Sequence, residues 1–275
     1  MAFAETLDQL LMEVANEGGA DRWLMLQTAY TGAARRQALY RLPAGNQSRV
    51  ADVGCGLGAA ALEIAEHFGA EVHGFDQDLA RLTIAERLRR SFPSLAGRVA
   101  FFPADVARQI PRVPFDIVTA RFVLQYLPPE ETLVHWRDWL KPGGCLYLEE
   151  VDDGWTVEYP PAPLAWRRVL AAYQAYAFDH GSDRQIGRKL PQYLERSGYR
   201  LTRVLWNPQS SLGTEQRSDP QVGFERERLS SMHSALVAEG YLTLDEFQEG
   251  IDHFDAAYPK MTFVTGATIQ IWATP

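Results

Sequence analysis

The stretch ADVGCGLGAAALEIAEHFG, residues 51–69, places three glycines between an apolar run and a helical pattern. The preceding RVADVG (49–54) predicts a strand, and residues 58–68 predict a helix that ends at Gly69. Glycines let the chain turn sharply and let a ligand approach the main chain closely. A glycine turn that joins a strand to a helix is therefore the first candidate for a binding site in this sequence.

The same alternation of short apolar runs with helical patterns continues to residue 152. It predicts further strands at 71–76, 99–105, 115–124 and 144–151, and further helices at 78–91 and 129–140. Strands that alternate with helices need crossover connections, and these build a parallel sheet with helices on both faces. The sequence thus predicts an α/β fold with a doubly wound sheet.

The segments on either side of this core are mainly helical. Helices are predicted at 5–15, at 21–41 with an interruption near Thr31–Gly32, at 163–178 and at 187–198. Two late strands, 199–206 and 261–272, are separated by the acidic segment 213–260, which holds ten Asp and Glu against four Arg and Lys. Thr243 and Glu246 form a capping box that begins a helix inside that segment.

These patterns predict one integrated domain with three parts. Residues 1–47 form an N-terminal helical lid, and residues 48–152 form the sheet core. Residues 153–275 complete the domain with the final strands and with a helical insertion at 213–260 that covers the substrate. A helical insertion is more plausible between the last two strands than a long bare loop.

Composition narrows the possible partners. The net charge is −8 and the pI is about 5.3, which disfavours nucleic acid as a partner because a basic face is needed to follow phosphates. The two cysteines form no disulfide framework, and no metal site is expected. The N-terminus lacks the basic start of a signal peptide, and no apolar run reaches the ~20 residues of a membrane span. We therefore expect a cytoplasmic protein that binds no membrane.

The glycine turn alone is compatible with two cofactors. Its spacing fits the loose fingerprint of a dinucleotide site, and it equally fits a turn for S-adenosylmethionine (SAM). Asp52 favours SAM, because a carboxylate beside a pyrophosphate meets like charge, whereas the amino group of SAM is cationic. Asp76 and Asp105 end the next two strands, where open α/β sheets bind ligands. Asp76 serves either cofactor, and Asp105 has the alternative role of a helix N-cap.

Several motifs together resemble the class I SAM-dependent methyltransferases, and among them the small-molecule enzymes of the ubiquinone and menaquinone type. The motifs are VADVGCGLG, VHGFD, PAD, FDIVTARFVLQYL and LKPGGCLYLEE, in the order and spacing of that family. The match covers about residues 48–152. The resemblance implies a Rossmann-like sheet of seven strands with the last strand antiparallel, in agreement with the two late strands.

The resemblance also implies roles for residues at the turn and the strand ends. Asp52, Gly54 and Gly56 would hold the methionyl part of SAM, with Cys55 in main-chain contact. Asp76 would bind the ribose hydroxyls. Further cofactor contacts are implied around the adenine by Gln77, Asp105 and Val106, around the sulfonium by Arg121, Phe122 and Tyr126, and from the N-terminal segment DRWLMLQ by Arg22 and Gln27. Tyr126 departs from the family, where a histidine is frequent at this position.

The expected reaction is methyl transfer from SAM to an oxygen, nitrogen or carbon nucleophile of a small organic molecule. Glu149 and His180 are the candidate catalytic bases, with a solvated strand end and a helix C-terminal cap as their alternative roles. Aromatic residues outside the sheet predict a partly apolar or aromatic acceptor, and the acidic segment weighs against a strongly anionic one. A homodimer is possible. An NAD-dependent oxidoreductase and a non-catalytic SAM-binding protein are the alternative functions.

Overall fold

The computed structural model describes residues 2–19, 21–109, 111, 113–212, 220–258 and 263–275, and for 209–212, 220–225 and 263–264 it describes the backbone alone. The helices are α1 (Phe3–Asn16), α2 (Arg22–Tyr30), α3 (Gly32–Leu39), α4 (Ala59–Phe68), α5 (Leu79–Arg90), α6 (Pro129–Arg137), α7 (Leu164–Asp179), α8 (Leu190–Arg196), α9 (Pro220–Ala238) and α10 (Leu244–Ala257). The strands are β1 (Arg49–Val53), β2 (Glu71–Asp76), β3 (Val99–Pro103), β4 (Phe115–Arg121), β5 (Leu140–Val151), β6 (Val157–Tyr159), β7 (Arg200–Leu212) and β8 (Phe263–Thr274).

One mixed sheet organises the fold. Its order is β3-β2-β1-β4-β5-β8, with β7 on the far side of β8. Strands β1 to β5 pair in parallel, and β8 runs antiparallel to β5. The predicted doubly wound, mostly parallel sheet with an antiparallel last strand is therefore confirmed.

Among the described residues the sheet has eight strands, which are the seven expected and one short addition. The addition is β6, which has three residues and pairs with the beginning of β8, while β5 pairs with its later residues. β8 thus extends past the end of β5, and β6 continues the line of β5 along it. The sequence did not predict β6, because its three residues, Val157–Tyr159, are too few to show the alternating pattern of a strand.

Both faces of the sheet are covered, as parallel sheets require. On one face, Val50 and Ile117 pack with buried residues of α1, α3, α4 and α5. On the other face, Val53 and Val118 pack against α6 and α8, where Trp136 is fully buried. Neighbouring positions of one strand serve opposite faces, so the strands appear in the sequence as continuous apolar runs.

The N-terminal helices belong to the first of these layers. Arg35 of α3 is 2% exposed and forms two hydrogen bonds, of 2.7 and 2.8 Å, with the carboxylate of Glu63 in α4. Arg36 joins the same carboxylate to Asp8 of α1. This buried network fixes α1 and α3 to the helix that follows the glycine turn. The division of the chain at residues 47 and 152 remains a prediction.

Helices α7, α9 and α10 form a third apolar cluster, separate from the two that cover the faces of the sheet. Trp166 of α7 stacks on Phe254 of α10 with ring centroids 4.1 Å apart, and Leu229 of α9 is fully buried beside them. Thr243 and Glu246 form the predicted capping box at the start of α10. Residues 213–219 and 259–260 of the predicted insertion lie outside the described residues. Among the helices of the described residues, none is long and apolar enough to cross a membrane.

Candidate active site

The glycine turn between β1 and α4 needs glycine for two different reasons. Gly54 and Gly56 have φ values of +65° and +51°, in the left-handed region that other residues rarely adopt. A Cβ at Gly54 would lie 2.4 Å from a methyl carbon of Val123, so Gly54 permits close packing of the turn against the next loop. A Cβ at Gly56 would meet no atom within 4 Å, and Gly56 lines an open cavity.

Asp52 lies under this turn and has an unpartnered oxygen. It stands opposite Thr119 on the neighbouring strand β4, whose hydroxyl donates a 3.1 Å hydrogen bond to Oδ1. Oδ2 is buried and has no hydrogen-bond partner within the described part of the chain, and the side chain is 2% exposed. Burial raises the pKa of Asp52 to about 7, against the lowering effects of Thr119 and Arg121. A cationic donor that reached Oδ2 would restore the ionised form.

Asp76 fixes the turn from the end of β2. Its Oδ2 accepts a 2.8 Å hydrogen bond from the backbone N–H of Gly56, and its Oδ1 accepts one of 2.9 Å from Asp78. Each carboxylate oxygen can accept a second hydrogen bond, so both remain able to bind hydroxyl groups. Asp52 and Asp76 therefore present two carboxylates on one side of the cavity.

The cavity measures about 390 Å³ and lies between the carboxyl ends of β1, β2 and β4 and the helices α2, α7 and α9. The sheet side is lined by the turn and the two acids: Asp52, Gly54, Cys55, Gly56, Leu57 and Asp76. The helical side contributes aromatic and cationic groups: Trp23, Phe122, Tyr126, Tyr173, Arg184 and Arg228. Three more arginines, Arg35, Arg81 and Arg121, line the cavity near the turn, so arginines lie on both sides of it and the two acids on the sheet side.

Arg121 enters the cavity as half of a buried ion pair. Its Nε donates a 2.6 Å hydrogen bond to Glu149, which is 1% exposed and also accepts hydrogen bonds from Tyr147, Thr268 and Gln270. Burial acts to raise the pKa of Glu149, but Arg121 and these hydrogen bonds hold it below its ordinary value. Glu149 is therefore ionised, and both of its carboxylate oxygens accept hydrogen bonds.

The next loop is supported by Glu150 from β5. Its Oε1 accepts hydrogen bonds of 2.7 and 2.6 Å from the backbone N–H groups of Val123 and Leu124. Phe122, just before them, has a φ of +60°. Burial raises the pKa of Glu150 to about 8. These bonds hold the loop in the conformation that directs Phe122 and Tyr126 to the cavity.

A second polar network forms the helical wall. Arg184 is 9% exposed and donates to both carboxylate oxygens of Asp153, at 2.8 and 3.0 Å, and to Oε1 of Gln125 at 2.7 Å. Its guanidinium carbon lies 5.7 Å from the ring centroid of Tyr173, and that of Arg228 lies 4.7 Å from the same centroid. Two arginines from distant parts of the chain therefore meet at one aromatic ring.

The structure brings most of the expected cofactor residues to this cavity. Those that line it are Gln27, Asp52, Gly54, Cys55, Gly56, Asp76, Arg121, Phe122 and Tyr126. The expected residues that are not among its described lining are Arg22, Gln77, Asp105 and Val106.

These four residues have other surroundings. Asp105 accepts a 3.1 Å hydrogen bond from the backbone N–H of Ala107 at a turn, so the alternative role of a helix N-cap is wrong because no helix begins there among the described residues. The Val106 carbonyl accepts the indole N–H of Trp136, and Gln77 is exposed. Arg22 forms a 2.8 Å ion pair with Glu227 of α9. Their predicted contacts with the adenine and the methionyl part remain predictions.

The two candidate bases also lie apart from the described cavity lining. Glu149 is behind Arg121, as described. His180 ends α7, where one ring nitrogen is 2.8 Å from the carbonyl of Tyr176 and the other is 3.2 Å from Glu239. Its position matches the alternative role of a helix C-terminal residue. Arg35, Arg184 and Arg228 line the cavity and were not expected there, because nothing local in the sequence marks them.

The residues at the turn fit SAM. The unpartnered Oδ2 of Asp52 suits a cationic amino group, the open space at Gly56 suits a ligand against the backbone, and Asp76 suits the ribose hydroxyls. Asp52 would meet like charge beside the pyrophosphate of NAD, so the geometry gives the dinucleotide alternative no support.

Comparison with known proteins agrees with this geometry. Residues 51–146 match a family model described as a methyltransferase domain. The chain is 33% identical to a trans-aconitate 2-methyltransferase of Rhizobium leguminosarum bv. trifolii, over 82% of this chain and 86% of that enzyme. It is 38% identical to the trans-aconitate 2-methyltransferase of Methylobacterium nodulans, over 42% of this chain and 43% of that enzyme.

The fold is similar to solved structures as well. A proposed methyltransferase of Bacillus halodurans superposes with a TM-score of 0.57 at 18% identity, over 88% of this chain and 98% of that one. The match with the Methylobacterium enzyme spans under half of that relative, whereas the Rhizobium match spans most of both chains. The chain belongs to the class I SAM-dependent methyltransferases that act on small molecules.

Proposed function

We propose that this enzyme methylates a carboxylate oxygen of a small organic acid. The observation that carries the proposal is the pair of arginines, Arg184 and Arg228, that line the helical wall across from the turn with Asp52 and Asp76. A cationic wall opposite the cofactor turn is complementary to an anionic acceptor. The two relatives above are named for trans-aconitate, which is itself a carboxylic acid.

The glycine turn and the two acids would hold the cofactor. Asp52 would bind the amino group, Gly54, Cys55 and Gly56 the methionyl part, and Asp76 the ribose. When bound, SAM supplies an electrophilic methyl group on its sulfonium. In the overall reaction the carboxylate oxygen gains the bond to the methyl carbon, the bond from sulfur to that carbon breaks, and S-adenosylhomocysteine leaves with the electron pair.

A carboxylate acceptor has a consequence for the candidate bases. An acid of ordinary pKa is already ionised at neutral pH, so the transfer needs alignment more than proton removal. We therefore assign Glu149 to the positioning of Arg121, which is the role its hydrogen bonds support. Burial raises the pKa of Tyr126, so its hydroxyl stays protonated and can donate to an anion.

The carbon skeleton of the acceptor would lie against aromatic side chains. Trp23, Phe122, Tyr126 and Tyr173 line the cavity and suit a partly apolar molecule between the charged groups. The expected aromatic character of the acceptor, the homodimer, the cytoplasmic location and the absence of a nucleic-acid partner remain predictions from the sequence.

Mass spectrometry with SAM that carries a trideuterated methyl group tests the proposal. The enzyme is incubated with trans-aconitate and glutarate, and in parallel with an amine and a phenol of similar size. We expect the label on the acids, in a product that alkali converts back to the acid because it is an ester. Labelled amine or phenol with unlabelled acids would contradict the proposal. Binding of S-adenosylhomocysteine without any transfer would favour a non-catalytic SAM-binding protein.

A further inference from the structure

Arg184 and Arg228 reach the cavity from elements that are far apart in the chain. Arg184 follows α7, and Arg228 lies in the middle of α9. They are 9% and 6% exposed, so both guanidinium groups are largely removed from bulk water. Their guanidinium carbons lie 5.7 and 4.7 Å from the ring centroid of Tyr173, which also lines the cavity. The fold therefore brings two buried arginine side chains to one aromatic ring on the helical side of the cavity, across from Asp52 and Asp76.

The guanidinium of Arg184 is fixed before any acceptor binds. Asp153 and Gln125 accept three of its five N–H donors, and Gln125 in turn donates to the carbonyl of Phe122. Among the described contacts, one N–H on each terminal nitrogen remains for another acceptor. A planar guanidinium held in this way is preorganised for the two oxygens of a carboxylate.

The charge of Arg228 contrasts with the acidic segment from which it comes. Its two charged neighbours on α9 form other ion pairs. Glu227 pairs with Arg22, and Arg226 pairs with Asp255, which is 45% exposed. Arg228 lies over the ring of Tyr173 and lines the cavity. The acidic composition of the segment does not indicate that one of its arginines reaches the cavity.

The reacting carboxylate needs to lie near the methyl donor, which the residues of the turn would hold on the sheet side of the cavity. Arg184 and Arg228 stand on the helical side and do not belong to the turn. An acceptor with a second anionic group could bind at both ends of the cavity, with one group beside the methyl donor and the other beside Arg184 and Arg228. Tyr126 lines the same cavity as both arginines, and its hydroxyl is a hydrogen-bond donor for an anionic group.

We propose that Arg184 and Arg228, beside Tyr173, bind a second carboxylate of the acceptor that is not itself methylated. This inference rests on the proposed carboxyl methylation and adds its specificity: acids with two or more carboxylates are preferred to those with one. The two arginines are therefore specificity-determining residues, and neither is needed for the binding of the cofactor.

The test compares matched acids on the intact enzyme. Trans-aconitate and glutarate carry several carboxylates, whereas crotonate and pentanoate are their counterparts with one. We measure kcat and KM for each acid with the wild type, with Arg228→Gln, and with the control Arg226→Gln, which changes an exposed arginine on the same helix. Calorimetric binding of S-adenosylhomocysteine to every variant reports whether the cofactor site is intact.

We expect Arg228→Gln to raise KM for glutarate about 10- to 100-fold, the range for loss of a charge-assisted hydrogen bond, and to change kcat less. KM for pentanoate should rise by a clearly smaller factor, the affinity for S-adenosylhomocysteine should stay as in the wild type, and Arg226→Gln should leave KM for both acids unchanged. Arg184→Lys keeps the charge but loses the planar fork, so it should lower the preference for glutarate by a smaller factor.

The possible failures are distinct. If the wild type methylates acids but uses pentanoate as well as glutarate, and Arg228→Gln leaves KM unchanged, the anchor is refuted while carboxyl methylation stands. If the wild type methylates no acid, carboxyl methylation itself is refuted. If Arg228→Gln weakens S-adenosylhomocysteine as much as glutarate, Arg228 belongs to the cofactor site and the inference fails.

Discussion

The affinity for the cofactor should depend on pH through Asp52. In the free enzyme, burial raises the pKa of Asp52 to about 7, and Oδ2 has no partner. Binding of a cationic amino group favours the ionised carboxylate, so binding lowers this pKa and releases a proton. The free enzyme must therefore lose a proton from Asp52 before, or as, the ligand binds.

The magnitude follows from the ionised fraction. With a pKa near 7, about one tenth of Asp52 is ionised at pH 6 and about nine tenths at pH 8. If the pKa in the complex falls well below 6, the dissociation constant for S-adenosylhomocysteine should be about tenfold higher at pH 6 than at pH 8, a difference of about 1.4 kcal/mol.

Isothermal titration calorimetry across pH 6 to 8 measures this slope, and repeats at pH 7 in buffers of different ionisation enthalpy count the protons released. Asp52→Asn keeps the acceptor for Thr119 but cannot ionise, so its binding at pH 8 should be about 10- to 100-fold weaker. Any titration of the ligand itself remains in the variant and is removed by comparison. A wild-type affinity that is flat over this range, or the same slope in Asp52→Asn, would refute the reasoning.

Three further predictions concern stability, measured by chemical or thermal unfolding of the free enzyme. Gly54→Ala should cost clearly more than Gly56→Ala: both lose about 1–2 kcal/mol to the left-handed backbone, but only at Gly54 would the Cβ overlap a neighbour, at 2.4 Å. Arg35→Ala leaves the buried carboxylate of Glu63 with Arg36 as its remaining described cation and should cost about 3 kcal/mol, whereas Arg87→Ala, at an exposed ion pair, should cost little; equal losses would contradict the buried network. Burial raises the pKa of Glu150 from 4.5 to about 8 in the fold, so the wild type loses stability progressively between pH 4.5 and pH 8; Glu150→Gln should unfold at a higher temperature than the wild type at pH 9 and by a smaller margin at pH 6, and a margin that does not grow with pH would contradict the reasoning.

The parts of the fold with a strong local signal could be predicted from the sequence. The buried strands are continuous apolar runs, and the capping box at Thr243 and Glu246 marks its helix by local hydrogen bonds. β6 was missed because three residues carry no period, and it forms only where β8 extends past β5. Tertiary pairing rather than local preference makes this strand.

The residues of the candidate site also fall into two groups, those that the sequence predicts and those that only the tertiary packing brings to the cavity. Asp52 and the glycines are adjacent in the sequence, and Asp76 ends the neighbouring strand, so topology alone brings them together. Arg184 and Arg228 meet only because α7 and α9 pack above the sheet, which no local pattern reports. In the sequence, the acidic composition of 213–260 weighed against an anionic acceptor. The proposal departs from that expectation because net charge does not show which side chains of a helix line the cavity.

Proton release during turnover tests the central claim most directly. Methyl transfer from the sulfonium to a carboxylate converts a cation and an anion into two neutral groups and releases no proton, whereas transfer to a hydroxyl group or a protonated amine releases one. With trans-aconitate as acceptor in a weakly buffered assay at neutral pH, we predict formation of S-adenosylhomocysteine with no accompanying acidification. One proton released for each S-adenosylhomocysteine formed, or no transfer to any acid of the panel, would contradict carboxyl methylation.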